Sequence, residues 1–436
     1  MRSLFSLAVS AIALAASAAA ADITVVHAGR LLAVPGEEPR GESTVVIADG
    51  VVSRVADGFL DPDALAGEGD DILVVDLKEM FVLPGLIDGH VHITFENNPN
   101  GRLQTVQLSA PDRALLGANY ARVTLEAGFT TVRDVGAREE EAVFALRDAV
   151  AAGYVPGPRI FASGQTVSPT GGHADGTQGY RPMVAQILAS GGVCDGTADC
   201  RRAVRERVKN GADHIKITAT GGVLSNTAAG TEQQFFEDEL EGIVEAATLM
   251  GRKVTAHAHG AAGIKAALRA GVSSIEHGTY LDDEAVRLFK RNGAYLVPTV
   301  LAGVTVAEWA ADPDTFLTPP QQAKAAEVGP RMLDMLRKAH GAGVKIAFGT
   351  DSGVSAHGEN AREFELMVEA GMTPAEAIYA ATIAGADNIG MAGKLGVVAE
   401  GAHGDLVAVY GDPLQDVSEL RDVAWVVKAG SVLKRP

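Results

Sequence analysis

The 436-residue sequence has few cysteines, few aromatic residues and no excess of positive charge. Its 37 Lys and Arg residues against 55 Asp and Glu residues give a net charge of −18, which argues against nucleic acid as the main partner because phosphate binding requires clustered cations. The body of the chain lacks both an apolar run long enough to span a membrane and a Gly-x-Gly-x-x-Gly motif after a predicted strand, so neither a membrane span nor a dinucleotide site is predicted. Its hydrophobic fraction of 47% is enough to bury a core, which excludes global disorder.

The first residues are the exception to the lack of apolar runs. Arg2 precedes an apolar stretch over residues 4–16, and small residues follow as far as Ala21. This pattern is typical of a secretory signal peptide over residues 1–21, with a buried N-terminal helix as the alternative. The mature protein is therefore expected to be secreted or periplasmic, without a membrane segment.

The only two cysteines are Cys194 and Cys200. In an oxidising compartment such a pair predicts a disulfide rather than a metal site. A redox role is disfavoured because the spacing is not Cys-x-x-Cys.

Two kinds of pattern divide the mature chain. Short β-branched runs separated by Gly, Pro and Asp occupy both ends, and they predict one small β domain built from residues 22–84 and 392–436. Between them, residues 85–391 alternate short apolar strands with helix-length segments, which indicates βαβ units and a parallel sheet. Eight units favour a (β/α)₈ barrel over a doubly wound open sheet, although periodicity alone cannot separate the two. The eight predicted strands are Leu86–His92, Phe129–Arg133, Arg159–Ala162, His214–Thr218, Lys253–His257, Ser273–Glu276, Tyr295–Pro298 and Lys345–Phe348.

Helices are predicted between these strands, and long loops after the third, fourth and seventh strands are expected to decide specificity. Two of the loop segments are 221–225 and 299–318. The eight predicted helices are Arg113–Glu126, Glu139–Ala152, Asp199–Asn210, Asp238–Met250, Gly260–Ala270, Asp282–Asn292, Gln321–Ala342 and Arg362–Ala370.

Several histidines stand where strands end, which is where a barrel of this kind carries its reactive groups. His90 and His92 lie two apart on one strand, so both imidazoles point to the same face. His257, His277 and Asp351 close three further strands. One such histidine is more often structural than a ligand, but five residues at equivalent strand ends favour a metal centre, with zinc suited to these ligands.

Lys216 is the unusual residue of the fourth strand. Isoleucines on both sides are expected to face the helices, so Lys216 should face the barrel interior. An unpaired buried lysine is costly, and a carboxylate partner or a solvent-reaching tip would account for it. The functional alternative is a carbamate, formed with carbon dioxide, whose two oxygens can bridge two cations.

Taken together, these residues resemble the ligand set of the metal-dependent amidohydrolase superfamily. The barrel entry over 81–92 and the exit over 401–407 resemble those of the superfamily, with His403-Gly404 as a minor departure. The segments 131–136, 171–173, 257–260 and 276–279 resemble its imidazolonepropionase-like branch. That branch includes secreted Xaa-Pro and Xaa-Arg dipeptidases and ochratoxin-hydrolysing amidases, and Lys216 argues against the mononuclear imidazolonepropionase activity itself.

The resemblance implies a distorted TIM (β/α)₈ barrel with a small β-sandwich domain from both chain ends, and a homo-oligomer, in some relatives an octamer. It also implies two divalent metal ions, with zinc as the default and cobalt or manganese as alternatives, bridged by N6-carboxylated Lys216 and a hydroxide that attacks the amide. Asp351 would transfer the proton, and His173 and His259 are further catalytic candidates, each with a plain structural role as the alternative. The implied metal ligands are His90, His92, Lys216, His257, His277 and Asp351.

The expected substrate is a small-molecule amide of a carboxylate-bearing amino acid, such as a dipeptide, an N-acyl amino acid or ochratoxin A. An esterase or lactonase could use the same site, because both reactions pass through a tetrahedral oxyanion. A periplasmic metal-binding protein without catalysis is the alternative from another class. A scaffold protein is disfavoured because all six ligand positions are present.

Overall fold

The computed structural model describes residues 22–65, 71–227 and 230–436, so the predicted signal peptide lies outside the described residues. The described strands are β1 (Asp22–Leu31), β2 (Ser43–Ala48), β3 (Val51–Asp57), β4 (Asp71–Pro84), β5 (Leu86–Val91), β6 (Phe129–Asp134), β7 (Arg159–Ala162), β8 (Ile215–Thr218), β9 (Val254–Ala258), β10 (Ser274–His277), β11 (Tyr295–Val297), β12 (Lys345–Ile346), β13 (Leu406–Val409), β14 (Trp425–Lys428) and β15 (Ser431–Lys434).

Strands from the two chain ends are hydrogen-bonded into one sheet, in the order β15-β14-β13-β4-β1-β2-β3 over the described residues. β1 runs parallel to β4, with Val26 opposite Val75, and β4 runs antiparallel to β13, with Val82 opposite Ala408. These four side chains belong to one buried apolar cluster. The valine-rich runs favour strands because branched side chains pack well on a pleated surface. The prediction of a sheet-rich domain from both ends is confirmed.

The middle of the chain forms a closed parallel barrel. β5 to β7 pair in sequence order, as do β8 to β12. The two sheets meet at one side through a parallel bridge between Val167 and Ile217, and at the other through a parallel bridge between Val91 and Ser352. Because the first strand pairs with the segment after the last, the sheet has no open edge there, and the TIM-barrel prediction is confirmed over the doubly wound alternative.

Helices surround the barrel close to their predicted positions. The described α-helices are α1 (Gly101–Gln107), α2 (Ala110–Glu126), α3 (Glu140–Ala151), α4 (Pro182–Ile187), α5 (Thr197–Asn210), α6 (Glu237–Leu249), α7 (Ala261–Ala270), α8 (Asp283–Asn292), α9 (Val300–Ala311), α10 (Pro319–Gly341), α11 (Arg362–Glu369), α12 (Pro374–Tyr379) and α13 (Gly385–Ile389). No described helix is both long and apolar enough to cross a bilayer.

The segment 299–318 is not a plain loop as predicted, because α9 occupies much of it. Thr299 precedes the helix in the left-handed conformation, and buried Glu363 accepts hydrogen bonds from the backbone N–H groups of Val300 (2.9 Å) and Leu301 (2.6 Å). A carboxyl group at this end satisfies N–H groups that otherwise have no partner. The sequence of α9 is apolar almost throughout, so it lacks the amphipathic period that indicates a surface helix.

The predicted disulfide is present between Cys194 and Cys200, with Cα atoms 5.0 Å apart. Both cysteines are buried, and the bond ties the first turn of α5 to the preceding loop.

Candidate metal centre

The carboxyl ends of the barrel strands surround a cavity of about 570 Å³. Every side chain predicted from the sequence to bind metal or act in catalysis lines this cavity: His90, His92, His173, Lys216, His257, His259, His277 and Asp351. These residues come from four barrel strands and from the loops that follow strands, as expected for a (β/α)₈ barrel.

His90, His92 and Asp351 form one half of the centre. Asp351 Oδ1 lies 3.4 Å from His90 Nε2 and 3.2 Å from His92 Nε2. The ligand atoms of His90, His277 and Asp351 all lie within 4.8 Å of one another. Burial alone would raise the pKa of Asp351, but His90 and His92 hold that pKa well below its usual value, so the carboxylate is ionised.

His257, His259 and His277 form the other half, with ligand atoms also within 4.8 Å of one another. The Nδ1 of His277 lies 2.7 Å from Thr299 Oγ1, and that of His259 lies 2.8 Å from Thr279 Oγ1. Burial lowers the pKa of all three histidines, to about 3 for His259, so the imidazoles are neutral, as metal binding requires. The resemblance assigns His257 and His277 to the metal. In the structure, a ring nitrogen of His259 also lies within 4.8 Å of the ligand atoms of those two histidines.

His173 reaches the same cavity from the long loop after β7. Its ring stacks on that of His257, with centroids 4.3 Å apart. Its buried Nδ1 has no hydrogen-bond partner among the described residues. The fold therefore brings this loop histidine to the centre.

Glu276 orients His90 from behind, and this role was missed in the sequence. His90 Nδ1 lies 2.7 Å from Glu276 Oε2, and Arg133 donates to Oε1 of the same carboxylate at 2.9 Å. An acceptor at Nδ1 fixes the tautomer and leaves Nε2 facing the cavity. The neighbouring acid Asp134 is not the partner of Arg133, since it accepts the backbone N–H of Ile93 at 2.7 Å. The sequence did carry one signal for this role, because Glu276 is an ionisable residue within a strand predicted to be buried.

Residues 81–433 match the amidohydrolase family. The chain belongs to the amidohydrolase family. It is 33% identical to ochratoxinase of Aspergillus niger, covering 97% of this chain and 88% of that protein. It is similar to a solved Xaa-Pro dipeptidase with bound methionine (41% identity, 94% and 99% coverage, TM-score 0.87) and to a prolidase complexed with N-methylphosphonate-L-proline (34%, 95% and 100%, TM-score 0.85). These relatives support the predicted imidazolonepropionase-like branch, and this amidohydrolase is a hydrolase of amide bonds.

The donor set of this amidohydrolase fits a metal ion. Buried Asp351 Oδ1 has no hydrogen-bond partner among the described residues, although two imidazole nitrogens lie within 3.4 Å of it. Leaving a buried carboxylate oxygen unsatisfied is costly unless a cation completes its environment. Imidazole nitrogen and carboxylate oxygen are common ligands of divalent transition metals.

Backbone strain marks the same centre. Of the five described non-glycine residues with positive φ, three lie here: Thr299 (φ 50°), His277 (φ 73°) and Asp351 (φ 60°). Successive residues of a strand point to opposite faces of the sheet. If β10 were regular to its end, Glu276 and His277 could not both face the barrel interior. The left-handed conformation of His277 breaks that alternation and places its ring in the cavity. Such strain costs about 1–3 kcal/mol per residue and is common at functional sites.

Lys216 lies on β8 with 4% of its surface exposed, between two fully buried isoleucines. None of the described carboxylates lies within 4.0 Å of its amine, so the expected alternative of an ion-paired lysine does not apply. Burial lowers the pKa of Lys216 to about 8. A larger fraction of the amine is therefore neutral, which is the form that reacts with carbon dioxide.

Proposed function

We propose that this amidohydrolase cleaves the amide bond to a carboxylate-bearing amino acid in a dipeptide, an N-acyl amino acid or an ochratoxin A-type amide. The observation that carries the proposal is the convergence of six imidazoles, Asp351 and an unpaired Lys216 on one cavity. Its similarity to an ochratoxinase and to Xaa-Pro dipeptidases supports the substrate class.

Two divalent metal ions, zinc by ligand type, would occupy the centre. His90, His92 and Asp351 would hold one ion and His257 and His277 the other, with a carbamate on Lys216 as the shared ligand. Bound metal ions lower the pKa of water towards neutrality and polarise an amide carbonyl.

The residues of the chain do the remaining work. Glu276 and Thr299 hold the rings of His90 and His277 in one tautomer and orientation. Asp351 accepts a proton from the attacking water and delivers it to the leaving nitrogen, which general acid–base catalysis requires of one positioned carboxylate. His259, neutral and held by Thr279, would donate a hydrogen bond from Nε2 to the substrate, with the Thr279 hydroxyl donating to its Nδ1.

The mature protein is proposed to be exported and to form a homo-oligomer, with no nucleic acid or membrane partner. The signal-like sequence over 1–21 supports export, and so does the disulfide, which persists in oxidising compartments. The resemblance to oligomeric relatives supports the assembly.

Metal analysis and a substrate panel test the proposal together. The panel comprises Xaa-Pro, Xaa-Phe and Xaa-Arg dipeptides, N-acyl amino acids, ochratoxin A and one matched ester. The expected result is about two zinc equivalents per chain and amide cleavage that a chelator abolishes and zinc restores. Cleavage of the ester alone would favour an esterase, and stoichiometric zinc with no turnover would favour a binding protein.

The carbamate has its own readout. Protein incubated with ¹³C-bicarbonate should show a carbamate carbon resonance that Lys216→Arg lacks, and Lys216→Ala should bind less metal. An identical spectrum for the wild type and Lys216→Arg would contradict the bridging role.

A further inference from the structure

Three arginines line the cavity above the metal centre: Arg102, Arg113 and Arg138. None of them lies within 4.0 Å of a carboxylate among the described residues, although the chain carries 55 acidic residues against 37 basic ones. Glu139 lines the same cavity and its charge acts on Arg113, but it pairs directly with none of the three. Cations on the wall of a cavity attract anions, because low-dielectric walls strengthen their field.

Arg138 is the most available of the three. Its guanidinium carbon lies 5.1 Å from the centre of the Phe95 ring, and its side chain makes no hydrogen bond or ion pair with any described residue. Surrounding protein lowers the pKa of Arg138, and yet the residue is exposed. Arg138 has many protein atoms around it and still has solvent-accessible surface, which is what a side chain on the cavity wall should show. Stacking on Phe95 restricts the guanidinium while leaving its five N–H donors free.

The other two arginines already have positions. Buried Arg113, with 2% of its surface exposed, donates to the carbonyl of Gln104 at 3.0 Å, and its Nε has no hydrogen-bond partner among the described residues. Arg102 stacks on Tyr180 at 4.9 Å. Burial and, to a smaller extent, the charge of Arg113 lower the pKa of Arg138, as expected for two cations on one wall, whereas Glu139 and Asp112 act on Arg113 in the opposite sense. A bound anion would relieve the repulsion between the two cations.

Arg138 is within reach of a substrate held at the metal centre. The Phe95 ring also stacks on His92, with centroids 4.9 Å apart. Since 5.1 and 4.9 Å are both measured to the Phe95 centroid, the guanidinium carbon lies at most 10.0 Å from the centre of the His92 ring. Neighbouring residues of a peptide lie about 3.8 Å apart, and a charged hydrogen bond adds about 3 Å. A carbonyl held on a metal ion would stand a further ~4 Å beyond the imidazole nitrogen, since each metal–ligand bond is about 2 Å long. Together these lengths cover the upper bound of 10.0 Å, so a carboxylate one residue from the scissile carbonyl is within reach of Arg138.

We infer that Arg138 binds the free carboxylate of the substrate, with Arg113 and Arg102 adding positive field. This inference rests on the proposed function and identifies the residue that selects its substrate class. A planar guanidinium matches a carboxylate with two parallel hydrogen bonds, which a lysine cannot reproduce. Substrates whose carboxylate is blocked should lose this contact and no other.

Binding of a small probe pair tests the carboxylate contact without turnover. Phenylacetate and phenethyl alcohol share a ring and differ in charge, and calorimetry measures their affinities for the metal-loaded protein. Arg138→Met should weaken phenylacetate binding about 10- to 100-fold and change phenethyl alcohol binding by less than about 2-fold. Arg138→Lys should restore only part of the loss. Arg205→Met is the control, because Arg205 is exposed on α5 and outside the cavity lining.

Turnover gives a second readout. For an Xaa-Phe dipeptide, Arg138→Met should lower kcat/KM mainly through KM, and it should leave the C-terminal amide of the same dipeptide unaffected. Wild-type phenylacetate affinity in Arg138→Met, equal losses for both probes, or no phenylacetate binding to the wild type would each overturn the inference. If the wild type cleaves no panel amide but probe binding depends on Arg138, the proposed function fails and the anion site stands. If amides are cleaved and Arg138→Met behaves as the wild type, the proposed function stands and the anion site at Arg138 is refuted.

Discussion

Glu276→Gln is the most informative single substitution at the candidate metal centre, because it removes the charge that orients His90 and leaves His90 itself unchanged. Glu276 is fully buried and accepts hydrogen bonds from Arg133 at 2.9 Å and from Ser274 at 2.8 Å, besides its contact with His90. The charge of Arg133 holds the pKa of Glu276 well below its usual value, against the upward effect of burial. Glutamine keeps the shape but turns one acceptor into a donor.

The expected cost follows from what remains after the substitution. Arg133, with 4% of its side chain exposed, loses its only carboxylate within 4.0 Å among the described residues, and breaking one partner of a buried pair costs about 3–5 kcal/mol. Arg133 keeps its hydrogen bond to the carbonyl of Gly89 at 2.6 Å, so we expect the lower end, about 3 kcal/mol. Whichever way the amide of glutamine is placed, an N–H group faces either Arg133 or His90. Metal affinity should therefore fall about 10- to 100-fold.

Denaturant unfolding in the presence of a chelator measures the first effect, and competition with a chromophoric chelator measures the second. Glu284→Gln is the matched control, because the side chain of Glu284 is 44% exposed and pairs with Arg269 and Lys265 at the surface, so the loss of its charge should cost at most about 1 kcal/mol. The reasoning is refuted if Glu276→Gln unfolds within about 1 kcal/mol of the wild type, or if its metal affinity is unchanged.

Three further outcomes are expected. Asp351→Asn should lower kcat for amide cleavage at least about 100-fold in protein that still contains metal, and near-normal turnover there would contradict the proton-transfer role. Burial raises the pKa of Glu363 to about 8 from an ordinary 4.5, so its contribution to stability is complete below pH 4.5 and is lost as the pH rises through 8. The melting temperature of Glu363→Gln should therefore fall less than that of the wild type over this pH range. Parallel curves of melting temperature against pH would count against this prediction. Cys194→Ser with Cys200→Ser should lower the free energy of unfolding by about 2 kcal/mol, while reductant should no longer affect the variant; a variant as stable as the oxidised wild type would refute this.

Strand positions and the groups at their ends were predictable because they follow local rules. His90 and His92 share a face through the period of two, and every predicted barrel strand lies within a few residues of an observed one. The partner of His90 was not predictable in this way, because Glu276 is 186 residues away along the chain. The left-handed conformations of His277 and Asp351 were also missed, since only the packed barrel stabilises them.

α9 shows a different reason for failure. Its residues are buried on several sides, so no polar face indicates a helix, and the carboxylate that satisfies its first N–H groups comes from Glu363, more than 60 residues later. Amphipathic patterns in a sequence indicate which face of a segment is exposed to solvent, and they give little information about a segment that is surrounded by protein.

The seam that closes the barrel also determines when the metal centre can form. Gly89 donates its backbone N–H to the carbonyl of Phe348 at 2.9 Å, and Asp351 donates its own to the carbonyl of His90 at 2.8 Å, so first and last strands meet at the ligands themselves. Contacts this distant in sequence are slow to form, because the entropy of closing a long loop is lost before the contact is gained. A ribosome must therefore release the chain as far as Asp351 before His90 and Asp351 can meet, and any metal ion that they share would bind only after that. A chain that crosses a membrane unfolded would acquire its metal on the far side, and one that folds first would carry the metal of the compartment in which it was made.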